Sequence, residues 1–136
     1  MSKNRIIYAT MTKHSKKIAG AIAEKLHLPM QNINERPVLS QTDTLFIVSG
    51  IYGGESKPEL LEFARQIPKD MVKQVVLITS CTSEKEGQGS LRAVLQEKGI
   101  HVKEEFTCKG SFLFKEFGHP NQADIANAVD FAKKQI

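Results

Sequence analysis

The sequence predicts an α/β protein: a three-layer αβα sandwich around a five-stranded parallel sheet of order 2-1-3-4-5, with residues 1–136 as a single domain. Three observations predict it. Short apolar runs alternate with segments of helical period, the pattern of a parallel sheet covered by crossover helices. The runs Arg5–Ala9, Leu45–Ser49 and Val75–Ser80 are rich in β-branched residues and apolar on both faces. Strands buried between two helical layers read this way. Two further runs, Leu28–Ile33 and His101–Cys108, are more polar and suit the sheet edges, which fits the second and fifth places in that order.

Each element has its own signal. Arg5–Ala9 is the first strand. Ile18, Ile22 and Leu26 recur at i, i+4 and i+8 and mark the first helix. Leu28–Ile33 carries Gln31 and Asn32, with Pro29 at its start, where a strand tolerates proline. Residues 34–44, interrupted by Pro37, predict a connection. Leu45–Ser49 is the third strand. Pro58 suits the first turn of the second helix, whose stripe is Leu60, Ala64 and Ile67. Val75–Ser80 is the fourth strand. Leu91, Val94 and Leu95 mark the third helix, and Gly99 suits its end. His101–Cys108 alternates polar and apolar residues and contains Lys103, Glu104 and Glu105. Ile125, Ala128, Val129 and Ala132 form the last helical stripe.

The composition agrees. The chain has 136 residues, 40% hydrophobic and 25% charged. That is enough for one core without disulfide or metal staples, and it excludes a disordered tail, a fibrous repeat and a disulfide-rich module. Leu45 to Val48 and Val75 to Ile78 are far too short to span a bilayer. The apolar stretch near the N-terminus is too short for a signal-peptide core. The expectation is a cytoplasmic protein with no membrane partner. Cys81 and Cys108 are too far apart for C-x-x-C, and no cluster of metal-ligand spacing occurs, so no metal is expected.

Net charge is +4. Residues 1–27 hold six lysines and arginines against one glutamate, while the remainder holds thirteen basic residues against fourteen acidic. The excess is local to the first strand, loop and helix, which fits either a solvated helix face or a site for an anionic group.

Ligands on such sheets bind beyond the carboxyl ends of the strands, between the first and third. The loops there are 10–15, 50–58 and 81–89. The first, Thr10-Met11-Thr12-Lys13-His14-Ser15, offers three hydroxyls and the free amides of a helix start. Such a turn can ring a phosphate, and the helix dipole favours the negative charge. The blander reading is helix capping by Ser15. The second loop includes Gly50, Ile51, Tyr52, Gly53 and Gly54. Glycine lets a backbone approach a flat ring, and Tyr52 can stack on one; a tight turn is the plain alternative. The third, from Cys81 through Thr82 and Gly87 to Gly89, is polar and alone is weak evidence.

Together these residues resemble the flavodoxin family. Thr10-x-Thr12-x-x-Ser15-x-x-Ile18-Ala19 is similar to the flavodoxin phosphate loop, T-x-T-G-x-T before a helix. Ile51-Tyr52-Gly53-Gly54-Glu55 is similar to the loop that covers one face of the flavin ring. Phe106-x-Cys108-x-Gly110-x-Phe112 and Gly118-His119-Pro120 resemble the tail of small bacterial flavodoxin-like proteins. The chain leaves no room for the insertion of the long-chain type, so it resembles the short type.

The resemblance implies non-covalent FMN and electron transfer between redox partner proteins, with no catalytic acid or base. By motif, Thr10, Met11, Thr12, Lys13, His14 and Ser15 would surround the phosphate. Gly50, Ile51, Tyr52, Gly53 and Gly54 would flank the ring, with a carbonyl near Gly53 meeting the flavin N5–H. Ser80, Cys81, Thr82 and the loop to Gly87 would meet the pyrimidine edge. The protein would act as a monomer or weak dimer. Three departures stand out: Lys13 replaces the usual glycine, no tryptophan is present, and the chain is basic where carrier flavodoxins are acidic. The last predicts a less negative reduction potential than that of an acidic relative.

Other readings fare as follows. A receiver domain needs an acidic pair after the first strand and an Asp ending the third; Ala9-Thr10 and Ser49 stand there. A low-molecular-weight phosphatase needs C-x5-R, which neither cysteine begins. A flavin-dependent reductase or oxidase acting on a quinone or an anionic tetrapyrrole is the main rival, and a cofactor-free binding or signalling module is the third reading. No recognition motif accompanies the first-helix lysines, so no nucleic acid is expected. Cys81 and Cys108 follow adjacent strands and are considered as a redox pair. His119 reads as a turn residue, and Phe112, Phe114 and Phe117 read as packing under the last helix.

Overall fold

The computed structural model describes residues 3–9, 14–35, 37, 39–52, 55–56, 58–68, 70–81, 89–109 and 122–136. Strand β1 (Asn4–Ala9) leads to helix α1 (His14–Leu26), β2 (Met30–Asn32) and one 3-10 turn (Ile33–Glu35). Then come β3 (Thr42–Tyr52), the short β4 (Glu55–Ser56) and α2 (Pro58–Gln66). After these follow β5 (Val72–Cys81), α3 (Gly89–Glu97), β6 (His101–Lys109) and α4 (Gln122–Lys133). The sheet runs β2-β1-β3-β5-β6 with every neighbour parallel. This is the predicted order 2-1-3-4-5. The two-residue β4 pairs β3 antiparallel, off that path.

Side chains of a strand alternate between faces, and here both faces are apolar. Ile7, Ala9, Leu45, Ile47, Val75 and Leu77 pack with Leu60, Ala64 and Ile67 of the α2 segment and with Leu91, Val94 and Leu95 of α3. Ile6, Tyr8, Phe46, Val48, Val76 and Ile78 pack with Ile18, Ala19 and Ile22 of α1 and with Ala128 and Ala132 of α4. The apolar stripes read from the sequence therefore face the sheet, α1 and α4 on one side and α2 and α3 on the other. Burying a side chain of this size contributes about 1.5–3 kcal/mol. No described helix is long and apolar enough to cross a membrane.

Two helices stop in the same way. At the end of α3, Gly99 takes a φ of 76° and the Ile100 N–H donates to the Leu95 carbonyl at 3.0 Å. At the end of α1, His27 takes a φ of 56° and the Leu28 N–H donates to the Ala23 carbonyl at 3.0 Å. Both closures satisfy late carbonyls through a left-handed residue. Glycine does so freely, whereas His27 carries a Cβ into a region that costs an L-residue about 1 kcal/mol.

The observed strands differ from their apolar runs at the ends. β3 begins at Thr42, three residues before Leu45, because polar groups continue the ladder there. The Thr42 N–H donates to the Met71 carbonyl at 2.9 Å, and the Asp43 N–H donates to that of Lys3. The Thr44 N–H donates to Asn4 Oδ1 at 3.2 Å, and Gln74 Nε2 donates to Thr44 Oγ1 at 2.8 Å. Asp43 accepts from the Lys3 N–H at 3.1 Å and lies 3.5 Å from Lys73 Nζ. The Lys3 bond, with the nearby Lys73 ammonium, holds the Asp43 carboxyl below its ordinary range. β2 is shorter than predicted: Pro29 stands just before it, its carbonyl accepting from the Ile6 N–H at 3.0 Å. The 3-10 turn is closed by side chains, with Glu35 accepting from the Asn32 N–H and Asn32 from that of Asn34.

β6 holds one irregularity. Val75 pairs with Val102, but Val76 pairs with Glu104, so the register slips by one at Lys103. An added residue of this kind reverses which face later side chains take. Beyond it Glu105 lies opposite Leu77 and Phe106 opposite Ile78. Phe106 stacks on Phe131 of α4 with ring centroids 5.0 Å apart.

Candidate functional site at the carboxyl end of the sheet

The register brings the carboxyl ends of four strands level. Ala9 lies beside Ser49, Gly50 beside Ser80, Ser80 beside Cys108, and Cys81 beside Lys109. β1 and β3 are neighbours, yet β1 leads to α1 on one face and β3 to α2 on the other. Adjacent connections leaving in opposite directions open a crevice, the usual place for a ligand in such sheets.

The sequence-predicted residues distribute as follows. His14 and Ser15 are the first two residues of α1. Gly50, Ile51 and Tyr52 are the last three of β3, and Ser80 and Cys81 the last two of β5. The backbone thus brings all three predicted groups to one edge. Thr10, Met11, Thr12, Lys13, Gly53, Gly54, Thr82 and Gly87 lie outside the described residues, as do Gly110, Phe112, Phe114, Phe117 and the Gly118-His119-Pro120 turn.

Local structure explains why these segments stop where they do. Four residues join Ala9 to His14, so the chain passes from a buried strand almost directly into a helix start. The first turn of α1 carries no acidic residue, and Lys16 and Lys17 beside it are exposed. The amides and dipole of that end, with two cations close by in sequence, suit an anion such as a phosphate. In the second segment Ile51 pairs with Ser56 and Tyr52 with Glu55, which leaves two residues to reverse the chain. A hairpin this tight favours glycine, and Gly53-Gly54 stands there. β4 also lies against α3.

Just inside this edge, on the α2/α3 face, the apolar core gives way to hydroxyls. Ser49 and Thr79 are fully buried and adjacent in register. The Thr79 hydroxyl donates to Glu105 Oε2 at 3.1 Å, and Arg92 Nη2 donates to Glu105 Oε1 at 2.7 Å. Sequence reading left Glu105 as an edge-strand charge and did not single out Arg92; the slip at Lys103, which carries no sequence signal, is what turns Glu105 inward. The two cysteines are not in register. Cys108 pairs with Ser80, one residue before Cys81. Among the described residues no group of three or more His, Cys, Asp or Glu could hold a metal ion.

Comparison with known proteins agrees with this geometry. A sequence profile for the flavodoxin domain matches residues 5–129. An uncharacterised protein of Methanocaldococcus jannaschii is 32% identical over 144 residues, covering 96% of each chain. A short-chain flavodoxin associated with a bacterial microcompartment superimposes with a TM-score of 0.68 at 18% identity, over 98% of this chain and 95% of its own. The NAD(P)H:quinone oxidoreductase of Methanothermobacter marburgensis gives 0.61 at 13% identity, over 96% and 97%. The rubredoxin oxygen:oxidoreductase of Desulfovibrio gigas gives 0.65 at 14% identity; the match takes in 99% of this chain but 37% of that larger one. At these identities the structural likenesses establish the fold.

Proposed function

Since the chain belongs to the flavodoxin domain family, we propose that it binds FMN non-covalently at the carboxyl edge and carries electrons between redox partners. The observation that carries this reading is the register itself, which levels the strand ends Ala9, Ser49–Gly50 and Ser80–Cys81 beside the start of α1. Thr10, Met11, Thr12, Lys13, His14 and Ser15 would hold the phosphate with hydroxyls, amides and the charge of Lys13. Gly50, Ile51, Tyr52, Gly53 and Gly54 would flank the ring, and Ser80, Cys81, Thr82 and Gly87 would meet the pyrimidine edge. The donor set fits this group: small residues end the central strands, and a helix start free of acidic residues stands beside them. FMN itself supplies the redox chemistry; the protein supplies binding, orientation and electrostatics.

The exposed Lys16 and Lys17 favour a partner or substrate that presents negative charge. That charge is also what supports the second reading, a flavin-dependent reductase of a small anionic or quinone-like substrate. The test is a titration of the purified chain with FMN, followed by flavin fluorescence. Saturable quenching near one FMN per chain is expected. The double variant Thr10→Ala/Thr12→Ala should bind at least about a hundredfold more weakly at unchanged thermal midpoint, since each lost bond to a charged group is worth about 1.5–3 kcal/mol. Absence of quenching in the unaltered chain contradicts the reading. Steady NAD(P)H-driven turnover of a quinone by the loaded protein would move the conclusion from carrier to reductase.

A further inference from the structure

The third loop joins β5 to α3, and one carboxylate holds both of its anchors. Thr79 lies two residues before the end of β5, and Arg92 lies in the first turn of α3. Glu105 of β6 accepts from both, one carboxylate oxygen to each, at 3.1 Å and 2.7 Å. Its side chain is 14% exposed and that of Arg92 34%, while Thr79 is fully buried. A bond from a charged donor to a half-desolvated carboxylate is short and strong.

This arrangement exists because of the register slip. Val102 packs against the α2/α3 core, and Glu105, three residues on, lies on the same face opposite Leu77. Strict alternation would place residues three apart on opposite faces. Without the slip, Glu105 would lie opposite Ile78 in the α1/α4 core, and Phe106 would face α3. The slip thus delivers the carboxylate to Arg92 and Thr79 and sends the phenyl ring to Phe131. As a source of stability such a pair is an expensive choice. A carboxylate and guanidinium taken out of water are often no better than apolar residues of the same volume.

We propose that Glu105 is a positioning residue that ties the carboxyl end of β5 to the first turn of α3, and through them sets how that edge of the sheet meets its ligand. The tie stands on the hydrogen bonds. Its consequence for the flavin rests on the FMN reading above, with the pyrimidine edge as the part of the ligand affected.

The experiment compares the full-length chain with Glu105→Gln, Arg92→Met and the double variant Glu105→Leu/Arg92→Leu. In flavin-free protein, Glu105→Gln should speed amide exchange at Ser80, Cys81 and Leu91–Arg92, leaving Ile6–Ala9 and Leu45–Val48 as they were. Exchange that rises uniformly, or nowhere, overturns the tie. With FMN, Glu105→Gln should raise Kd about tenfold, the equivalent of about 1.4 kcal/mol of lost positioning. The double variant should recover the thermal midpoint without recovering FMN affinity; recovery of both overturns the proposal, because packing alone would then suffice. The reduction potential of bound FMN should become less negative in Glu105→Gln and more negative in Arg92→Met. Potentials that do not move, or move together, also overturn it. If the unaltered chain binds no FMN, the flavin reading falls and the exchange data alone decide on the tie.

Discussion

At the amino end of the sheet, polar side chains from neighbouring strands bond to one another; at the carboxyl end, the same strands run out in hydroxyl, glycine and cysteine residues. Asn4, Thr44 and Gln74 link β1, β3 and β5 in a row, and Asp43 reaches both Lys3 and Lys73. Gln41 donates to the Asp70 carbonyl, and Arg5 bonds Gln31 of the edge strand. These contacts join one structural element to the next. At the carboxyl end Glu105 makes a comparable tie, and it joins the end of β5 to the start of α3. The difference teaches where this fold puts its two tasks. The amino end ties neighbouring strands together, and the carboxyl end brings the ends of β1, β3 and β5 level beside the start of α1.

If that division is right, changes at the amino end alter stability and leave ligand binding alone. The largest effect is expected from Thr44→Val. Thr44 is buried, and the Gln74 amide loses its acceptor. A donor left unsatisfied costs about 1–3 kcal/mol, so chemical denaturation should show a loss in that range, with FMN affinity within twofold of the unaltered chain. A matching loss of FMN affinity would break the division.

His27→Gly should act in the opposite direction. The left-handed position at the end of α1 is strained for histidine and free for glycine. A gain of about 0.5–1 kcal/mol is expected from relief of that strain, less the greater freedom of glycine in the unfolded chain. Thermal unfolding checks it, and FMN affinity should again stay put.

The smallest effect is a pH dependence. The Asp43 carboxyl is held below its ordinary value in the folded chain. Its stabilising contribution is therefore fully present above the unfolded value, about 3.9, and is lost as pH falls through the lower folded value. Asp43→Asn should be less stable than the unaltered chain at neutral pH, and the two should converge only below about pH 4. Unfolding curves between pH 2.5 and 7 measure this. A gap that persists to the lowest pH would show that the bond geometry, not the charge, is what matters there.

Much of this architecture is legible in the sequence, and the amino end shows why some is not. The three central strands announce themselves because both faces are apolar, and the helix stripes because their period matches one buried side. Gly99 marks a helix end because glycine is the residue that position favours. Thr42 to Thr44 escape the same reading, since they extend β3 through hydrogen bonds and not through apolar burial. His27 escapes because it does glycine's work without being glycine. The register slip at Lys103 is the largest omission. A period-two reading of β6 sees alternating polar and apolar residues and has no means of noticing that the phase changes. Hence the sequence singles out Ser15, Gly50, Tyr52 and Ser80, whose backbone the fold brings to one edge, while Glu105 and Arg92 emerge only from the fold.

The most direct test of the two-ended account is amide hydrogen exchange of the full chain with and without saturating FMN. The account predicts that added protection concentrates at Ala9, Ser49–Tyr52, Ser80–Cys81 and the first turns of α1 and α3. Amides of Asn4–Arg5, Thr42–Thr44 and Val72–Gln74 should exchange as before. Protection centred on the amino end, or no change anywhere at saturating FMN, would contradict it.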